Sequence, residues 1–125
     1  MISIAVCDDN EITAQEISEK VKQCCPIEAE VSVFYHIKDI LFSIHNENKL
    51  FDIIFMDPPY GKLLEKAVLE RLAGSPLMDD DTMVIVESDL DTNFDYLDDL
   101  GLELYKTKKY KTNKHTFIYR RLEDE

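Results

Sequence analysis

Glycine is scarce in this sequence of 125 residues: there are three, Gly61, Gly74 and Gly101, and none lies among the first 60 residues. Folds that bring a nucleotide close to the backbone commonly place glycine directly after the first strand, where its missing side chain leaves room. The shortage therefore argues against a glycine-rich cofactor loop in the first half of the chain.

Cysteine and long apolar runs are also scarce. The three cysteines show no metal-ligand spacing, which predicts reduced thiols instead of a disulfide framework: Cys7, Cys24 and Cys25. The three histidines show neither ligand nor triad spacing, which predicts surface or satisfied positions: His36, His45 and His115. No apolar run approaches the roughly 20 residues of a membrane-spanning helix, and nothing resembles a signal peptide. We therefore expect a cytoplasmic monomer without a membrane partner.

Basic residues are few, since 26 acidic and 14 basic residues give a net charge of −12. That balance disfavours general affinity for nucleic acid. The bases are unevenly placed, because residues 79–103 hold ten acids and no Lys or Arg, whereas residues 106–121 hold seven bases and no acid. This pattern fits either a basic interaction module near the end of the chain or two complementary solvated faces of one fold.

Short apolar runs alternate with amphipathic segments along most of the chain. The runs ISIAVC, EVSVFY, FDIIFMD and TMVIVES predict four parallel strands, and the segments between them predict helices, including residues 11–23 and 37–44. A short helix is predicted after the fourth run, near residues 93–100. The last two runs, LELYKTKKY and HTFIYRR, are separated by only four residues and predict an antiparallel hairpin. The predicted fold is one three-layer α/β/α domain over residues 1–125, flavodoxin-like or Rossmann-like, with sheet order 2-1-3-4-6-5 and strand 6 antiparallel.

Acidic side chains follow the first and third predicted strands. Asp8 and Asp9 end strand 1, Asp57 ends strand 3, and the carboxyl ends of parallel strands meet at one edge of the sheet. Three carboxylates at that edge suit a hard divalent cation such as Mg²⁺, beside which one carboxylate could attack a phosphoryl group. The alternative is that Asp8 and Asp9 only cap the next helix and Asp57 begins a loop.

Residues 1–57 resemble the first half of a bacterial response-regulator receiver domain, through IAVCDDN, the first helix and FDIIFMD. The resemblance implies that Asp57 accepts a phosphoryl group from a histidine kinase partner, and that Asp8 and Asp9 hold Mg²⁺. The second half of the chain departs from that family. Glu87 stands near the place of a receiver's hydroxyl residue, and the chain has no Lys-Pro pair.

Residues 51–121 resemble the C-terminal half of the small-subunit ribosomal RNA guanine-N2 methyltransferases, through FDIIFMDPPYGK, TMVIVESD and KKYKTNKHTFIYRR. In an Asp-Pro-Pro-Tyr sequence the Asp side chain and a Pro carbonyl can accept hydrogen bonds from an exocyclic amine, and the Tyr ring can stack on a base. The resemblance implies that the base-binding loop is formed by Asp57, Pro58, Pro59 and Tyr60, with the basic hairpin near ribosomal RNA. S-adenosylmethionine is not expected to bind, because Asp8 and Asp9 stand where this family needs glycine.

The two resemblances overlap only at FDIIFMD. We therefore interpret the chain as a chimera, more consistent with engineering than with natural origin, that joins a receiver-like half (residues 1–57) to a methyltransferase-like half (residues 58–125). This interpretation predicts a folded domain without complete catalysis that retains weak Mg²⁺ binding at Asp8, Asp9 and Asp57. Two alternatives stay open: a receiver phosphorylated on Asp57, and an S-adenosylmethionine-dependent guanine-N2 methyltransferase of ribosomal RNA.

Overall fold

The computed structural model describes residues 2–8, 10–24, 28–36, 39, 42, 51–57, 64–73 and 81–120. Within these ranges the strands are β1 Ile2–Asp8, β2 Ala29–Phe34, β3 Ile53–Asp57, β4 Met83–Asp89, β5 Leu102–Lys109 and β6 Asn113–Arg120. The helices are α1 Glu11–Cys24 and α2 Leu64–Ala73, together with a short 3-10 helix at Asp98–Leu100. Of the helix predicted over residues 37–44, the structure describes only residues 39 and 42, and both are helical.

All six strands form one sheet in the order β2-β1-β3-β4-β6-β5. The strands β1, β2, β3 and β4 pair in parallel, whereas β6 is antiparallel to both β4 and β5. The predicted fold class and strand order are therefore confirmed. From β1 the chain goes first to β2 on one side and later to β3 on the other, so the topological switch point lies between the carboxyl ends of β1 and β3.

The start of α1 is fixed by its own cap. The side-chain oxygen of Asn10 accepts a hydrogen bond of 3.0 Å from the backbone N–H of Thr13, which otherwise has no partner within the first turn. Ala14 and Ser18 are buried on the face that meets β1 and β2, whereas Ile12 is exposed. The residue that caps this helix is thus Asn10, which leaves the Asp8 side chain at the strand end.

The two faces of the sheet are buried to different degrees. On β3 and β4 every second residue is fully buried, namely Ile54, Met56, Val84 and Val86, and the residues between them are half-buried. The buried side packs against α2 and the segment before the 3-10 helix, through Val68, Leu69, Leu72, Phe94 and Leu97. We call this side the core face and the opposite, half-buried side of β3, β4 and β6 the site face.

The hairpin of β5 and β6 contains a β-bulge. Leu104 pairs with Ile118, but the next pair is Lys106 with Phe117, so Tyr105 is an extra residue on β5. Ile118 belongs to the core face, and the ammonium of Lys106 lies 4.7 Å from the ring centre of Phe117 on the site face. The bulge therefore moves Lys106 and Lys108 to the site face and Lys109 to the opposite side.

A helix predicted near residues 93–100 is shorter than expected. Asn93 accepts a 2.6 Å hydrogen bond from the backbone N–H of Asp95, which holds a turn in place of a first helical turn. Only Asp98–Leu100 is helical, and the 3-10 helix ends at Gly101, whose φ of 72° is a left-handed conformation that glycine adopts without steric cost. In the part of the chain described here, no helix is long and apolar enough to span a membrane.

The packing of α2 on the core face gives a direct test of the fold. Leu69 is fully buried and Glu70, its neighbour on the same helix, is exposed. We expect Leu69→Ala to lower the free energy of unfolding by about 2–5 kcal/mol because it leaves a cavity in the core. Glu70→Ala, the matched control, should change it by less than about 0.5 kcal/mol. Urea unfolding of both variants measures this, and equal effects would contradict the assigned orientation of α2.

Candidate functional site

Titratable side chains lie side by side across five strands near the carboxyl ends of the parallel strands. Neighbouring residues in register project to the same face of a sheet, and here that is the site face. Asp8 pairs with Asp57, Glu87 follows the Met56–Val86 pair, and His115 pairs with both Glu87 and Lys108. We call this set the cross-strand row: Asp8 on β1, Asp57 on β3, Glu87 on β4, His115 on β6 and Lys108 on β5.

Asp57 stands at the centre of the acidic end of the row. Burial raises the pKa of this carboxyl from 3.8 to about 8, and hydrogen bonding and repulsion from Glu87 and then from Asp8 add to the increase. A carboxyl with this pKa carries a proton at neutral pH. Asp57 can therefore hold a proton next to the switch point of the sheet, or release it when a cation approaches.

Asp8 is held in place by local hydrogen bonding. Its side chain is only 2% exposed, and one carboxylate oxygen accepts a 2.9 Å hydrogen bond from the backbone N–H of Asn10. Because Asn10 also caps α1, the start of the helix and the Asp8 carboxylate are fixed together. Asp8 is thus a rigid acceptor at the edge, beside Asp57.

Glu87 and His115 extend the row toward the hairpin. His115 Nε2 lies 3.3 Å from a carboxylate oxygen of Glu87, and both side chains are about one fifth exposed. The imidazole packs edge-on against Phe55 at 5.6 Å and Tyr110 at 4.9 Å between ring centres. The prediction of a surface or satisfied position for His115 agrees with its contact to Glu87. Glu87 in turn contacts Asp57.

The structure brings together only part of the predicted site. Asp8 and Asp57 are adjacent as predicted, whereas Asp9, Pro58, Pro59 and Tyr60 lie outside the described residues. Sequence reasoning placed Glu87 near the strand ends only as a departure from the receiver pattern, and it did not include His115 in the site. The sequence does contain a signal for Glu87, because Glu87 directly follows the apolar run of β4 just as Asp57 directly follows the apolar run of β3. His115 had no comparable signal, because its place depends on the hairpin register.

Nearly the whole chain is similar to one family of proteins. Residues 1–119 match a family model described as conserved hypothetical protein 95. An uncharacterized methylase of Rickettsia prowazekii is 30% identical over 67 residues, which are 54% of this chain and 28% of that protein. The chain therefore spans little more than a quarter of this curated relative.

Solved structures share the fold. A conserved hypothetical protein of Streptococcus pyogenes aligns with a TM-score of 0.65 and 22% identity over 94% of this chain and 71% of that one. A candidate methylase of Haemophilus influenzae aligns with a TM-score of 0.62 and 16% identity over 96% of this chain and 67% of that one. At these identities the alignments establish the fold alone.

These comparisons overturn the chimera interpretation. One family model runs from residue 1 to residue 119 without a break at Asp57, so neither a receiver half nor an engineered junction is supported. The receiver alternative, with phosphorylation of Asp57, is wrong for the same reason, and the histidine kinase loses its basis as a partner. The physical cause of the error is that any parallel sheet with this register brings the side chains at the ends of neighbouring strands together, so adjacent acids there do not identify a receiver.

The cofactor prediction also needs correction. The sequence was taken to favour Mg²⁺ and to make S-adenosylmethionine unexpected, whereas the proteins to which the chain is similar include methylases. Among the described residues, no group of three or more His, Cys, Asp or Glu side chains is arranged to hold a metal ion. The prediction rested on the absence of glycine after the first strand, and the similarity to methylases holds in spite of that absence.

The raised pKa of Asp57 predicts a pH-dependent cost to stability. The folded chain keeps this proton up to about pH 8, whereas the unfolded chain loses it near pH 3.8, so the carboxyl lowers stability increasingly as the pH rises between these values. We expect Asp57→Asn to be more stable than the parent chain at pH 8, by on the order of 2 kcal/mol after allowing for solvent screening. Near pH 4 the difference should vanish. Urea unfolding at both pH values measures it, and a constant difference would contradict the assignment.

The contact of Glu87 with Asp57 predicts a second change. Glu87→Gln removes the repulsion and should lower the pKa of Asp57 from about 8, although burial and Asp8 keep it above 3.8. Carboxyl carbon NMR across pH 3 to 10 follows the Asp57 signal directly. Glu103→Gln, an exposed acid on β5, is the matched control and should leave the midpoint unchanged. An unchanged midpoint in both variants would show that Glu87 does not act on Asp57.

Proposed function

The chain belongs to the family described as conserved hypothetical protein 95, and from this premise we propose that it takes part in S-adenosylmethionine-dependent methylation of an exocyclic amino group on an RNA base. The observation that carries the proposal is the position of Asp57, the first residue of Asp-Pro-Pro-Tyr, at the switch point of a sheet shared with candidate methylases. In this proposal the protein acts in the cytoplasm, and ribosomal RNA is the expected substrate.

The acidic end of the cross-strand row fits S-adenosylmethionine by charge. The cofactor supplies a methyl group on a positively charged sulfonium, and it also carries an ammonium group. Asp8 and Asp57 present carboxyl groups at the edge where ligands of open α/β sheets bind. Burial first, and then Glu87 and Asp8, raise the pKa of Asp57, and a cation bound beside this carboxyl would favour its ionised form. Asp8 and Asp57 are thus the residues that would hold its cationic part.

Asp57 would act on the substrate as a hydrogen-bond acceptor. Its carbonyl oxygen can accept from an exocyclic N–H whether or not the other carboxyl oxygen is protonated, and this orients the nitrogen lone pair. When the carboxyl is ionised, the same group can take up the proton that the nitrogen loses after methylation. Glu87, held by His115, fixes the orientation of Asp57 during both steps.

The proposal is tested by comparing two ligands that differ in one charge. S-adenosylhomocysteine lacks the methyl group of S-adenosylmethionine and with it the sulfonium charge. Because the methyl group does not titrate, a change of their affinity ratio with pH reports the effect of that charge. A nearby cation favours the ionised form of Asp57, so S-adenosylmethionine should gain affinity relative to S-adenosylhomocysteine as the pH rises toward about 8 and then level off. Calorimetry at pH 6, 7 and 8.5 measures this ratio.

Asp57→Asn is the control for this titration. The variant should bind both ligands with a ratio that no longer changes with pH, because it has no carboxyl at this position. Transfer of a labelled methyl group from S-adenosylmethionine to unpaired RNA then tests the reaction itself. The absence of S-adenosylmethionine binding at every pH would overturn the proposed function.

A further inference from the structure

The β5–β6 hairpin has two chemically different faces. Lys106 and Lys108 lie on the site face, since their ammonium groups stand 4.7 Å from the ring centre of Phe117 and 5.5 Å from that of Tyr110. Lys114 turns to the core-face side, where its ammonium donates a 2.5 Å hydrogen bond to the carbonyl of Thr92. Lys109, which pairs with Lys114 in the hairpin, shares that side.

On the site face, aromatic rings connect the hairpin to the acidic end of the row. Tyr110 is 42% exposed, and its ring stands 4.9 Å from that of His115, which contacts Glu87. Its backbone N–H donates a 2.8 Å hydrogen bond to the carbonyl of Asn113, which fixes the residue at the turn. Tyr110 is therefore an exposed ring on a fixed backbone, next to a lysine.

The spacing along the row fits a short stretch of nucleic acid. Three strand-to-strand steps separate Asp57 from Lys108, which at the usual strand spacing is about 14 Å. That length corresponds to about four stacked nucleotides of one strand. Exposed aromatic rings beside cationic side chains are the features by which proteins bind unpaired strands, through stacking on bases and contacts with phosphates.

We propose that the site face of the hairpin binds the unpaired nucleotides flanking the methylated base, with Tyr110 stacking on a base and Lys106 and Lys108 contacting phosphates. The inference rests on the proposed function and extends it from one base to the strand that carries it. It also assigns a side: the core-face lysines of the same hairpin take no part in binding.

The test uses fluorescently labelled RNA octamers of adenosine, read by anisotropy at several salt concentrations. Lys108→Gln should weaken binding about threefold to tenfold and reduce the slope of log affinity against log salt by about one. Lys109→Gln removes the same charge one residue away on the other face and should change affinity less than about twofold. Equal losses in the two variants would overturn the assignment of one face.

Tyr110 is tested by separating its ring from its hydroxyl. Tyr110→Ala should weaken binding to the octamer roughly 5- to 100-fold, whereas Tyr110→Phe should bind like the parent chain because it keeps the stacking ring. An octamer of abasic ribose phosphates should bind the parent chain and Tyr110→Ala equally. If Tyr110→Ala bound the abasic octamer more weakly than the parent chain does, stacking on a base would be contradicted. If the parent chain bound duplex and unpaired RNA equally, the preference for an unpaired strand would be contradicted.

Failure of this inference and failure of the proposed function can be told apart. Calorimetry with S-adenosylmethionine on the same variants should give the affinity of the parent chain, and thermal unfolding should show that they are folded. If S-adenosylmethionine binds but the octamer does not, the hairpin inference is overturned while the proposed function stands. If the octamer binds with the expected dependence on Lys108 and Tyr110 but S-adenosylmethionine does not bind, the surface stands without the reaction.

Discussion

The in-register pairing of β1 with β3 is the constraint on which the candidate site depends. It places the carboxyl groups of Asp8 and Asp57 side by side at the carboxyl edge of the sheet, and Glu87 joins them from β4. Burial raises the pKa of Asp57 to about 8, with further contributions from Glu87 and Asp8, so Asp57 carries a proton at neutral pH. The site therefore contains a neutral carboxylic acid that any approaching cation would ionise.

The cross-strand row changes its charge from one end to the other. Its acidic end, from Asp8 to Glu87, suits a cationic cofactor, whereas Lys108 at the other end suits an anionic strand. His115 stands between them, packed by Phe55 and Tyr110 and bound to Glu87. A protein with a net charge of −12 can in this way present a confined positive surface, because seven of its 14 basic residues lie within residues 106–121, where there is no acid.

The fold could be predicted from the sequence, because alternating strand and helix patterns, handed crossovers and the short link between the last two runs leave few topologies. Asp8 and Asp57 could be predicted as neighbours for the same reason. The contact of Glu87 with His115 could not, since it depends on the pairing of β4 with β6, which the apolar pattern alone does not fix. The origin of the chain was misjudged because strand-end acids are common to several functions on related sheets.

The bulge at Tyr105 has a consequence for how such a hairpin can change over evolution. Side chains alternate between the two faces of a strand. One extra residue in β5 therefore decides whether each later lysine lies on the core-face side, with Leu104, or on the site face, with Phe117. Loss of a single codon in this edge strand would exchange the two surfaces at once, whereas point substitutions would have to rebuild each surface separately. Insertions and deletions are therefore the mutations to which the charge distribution of the hairpin is most sensitive.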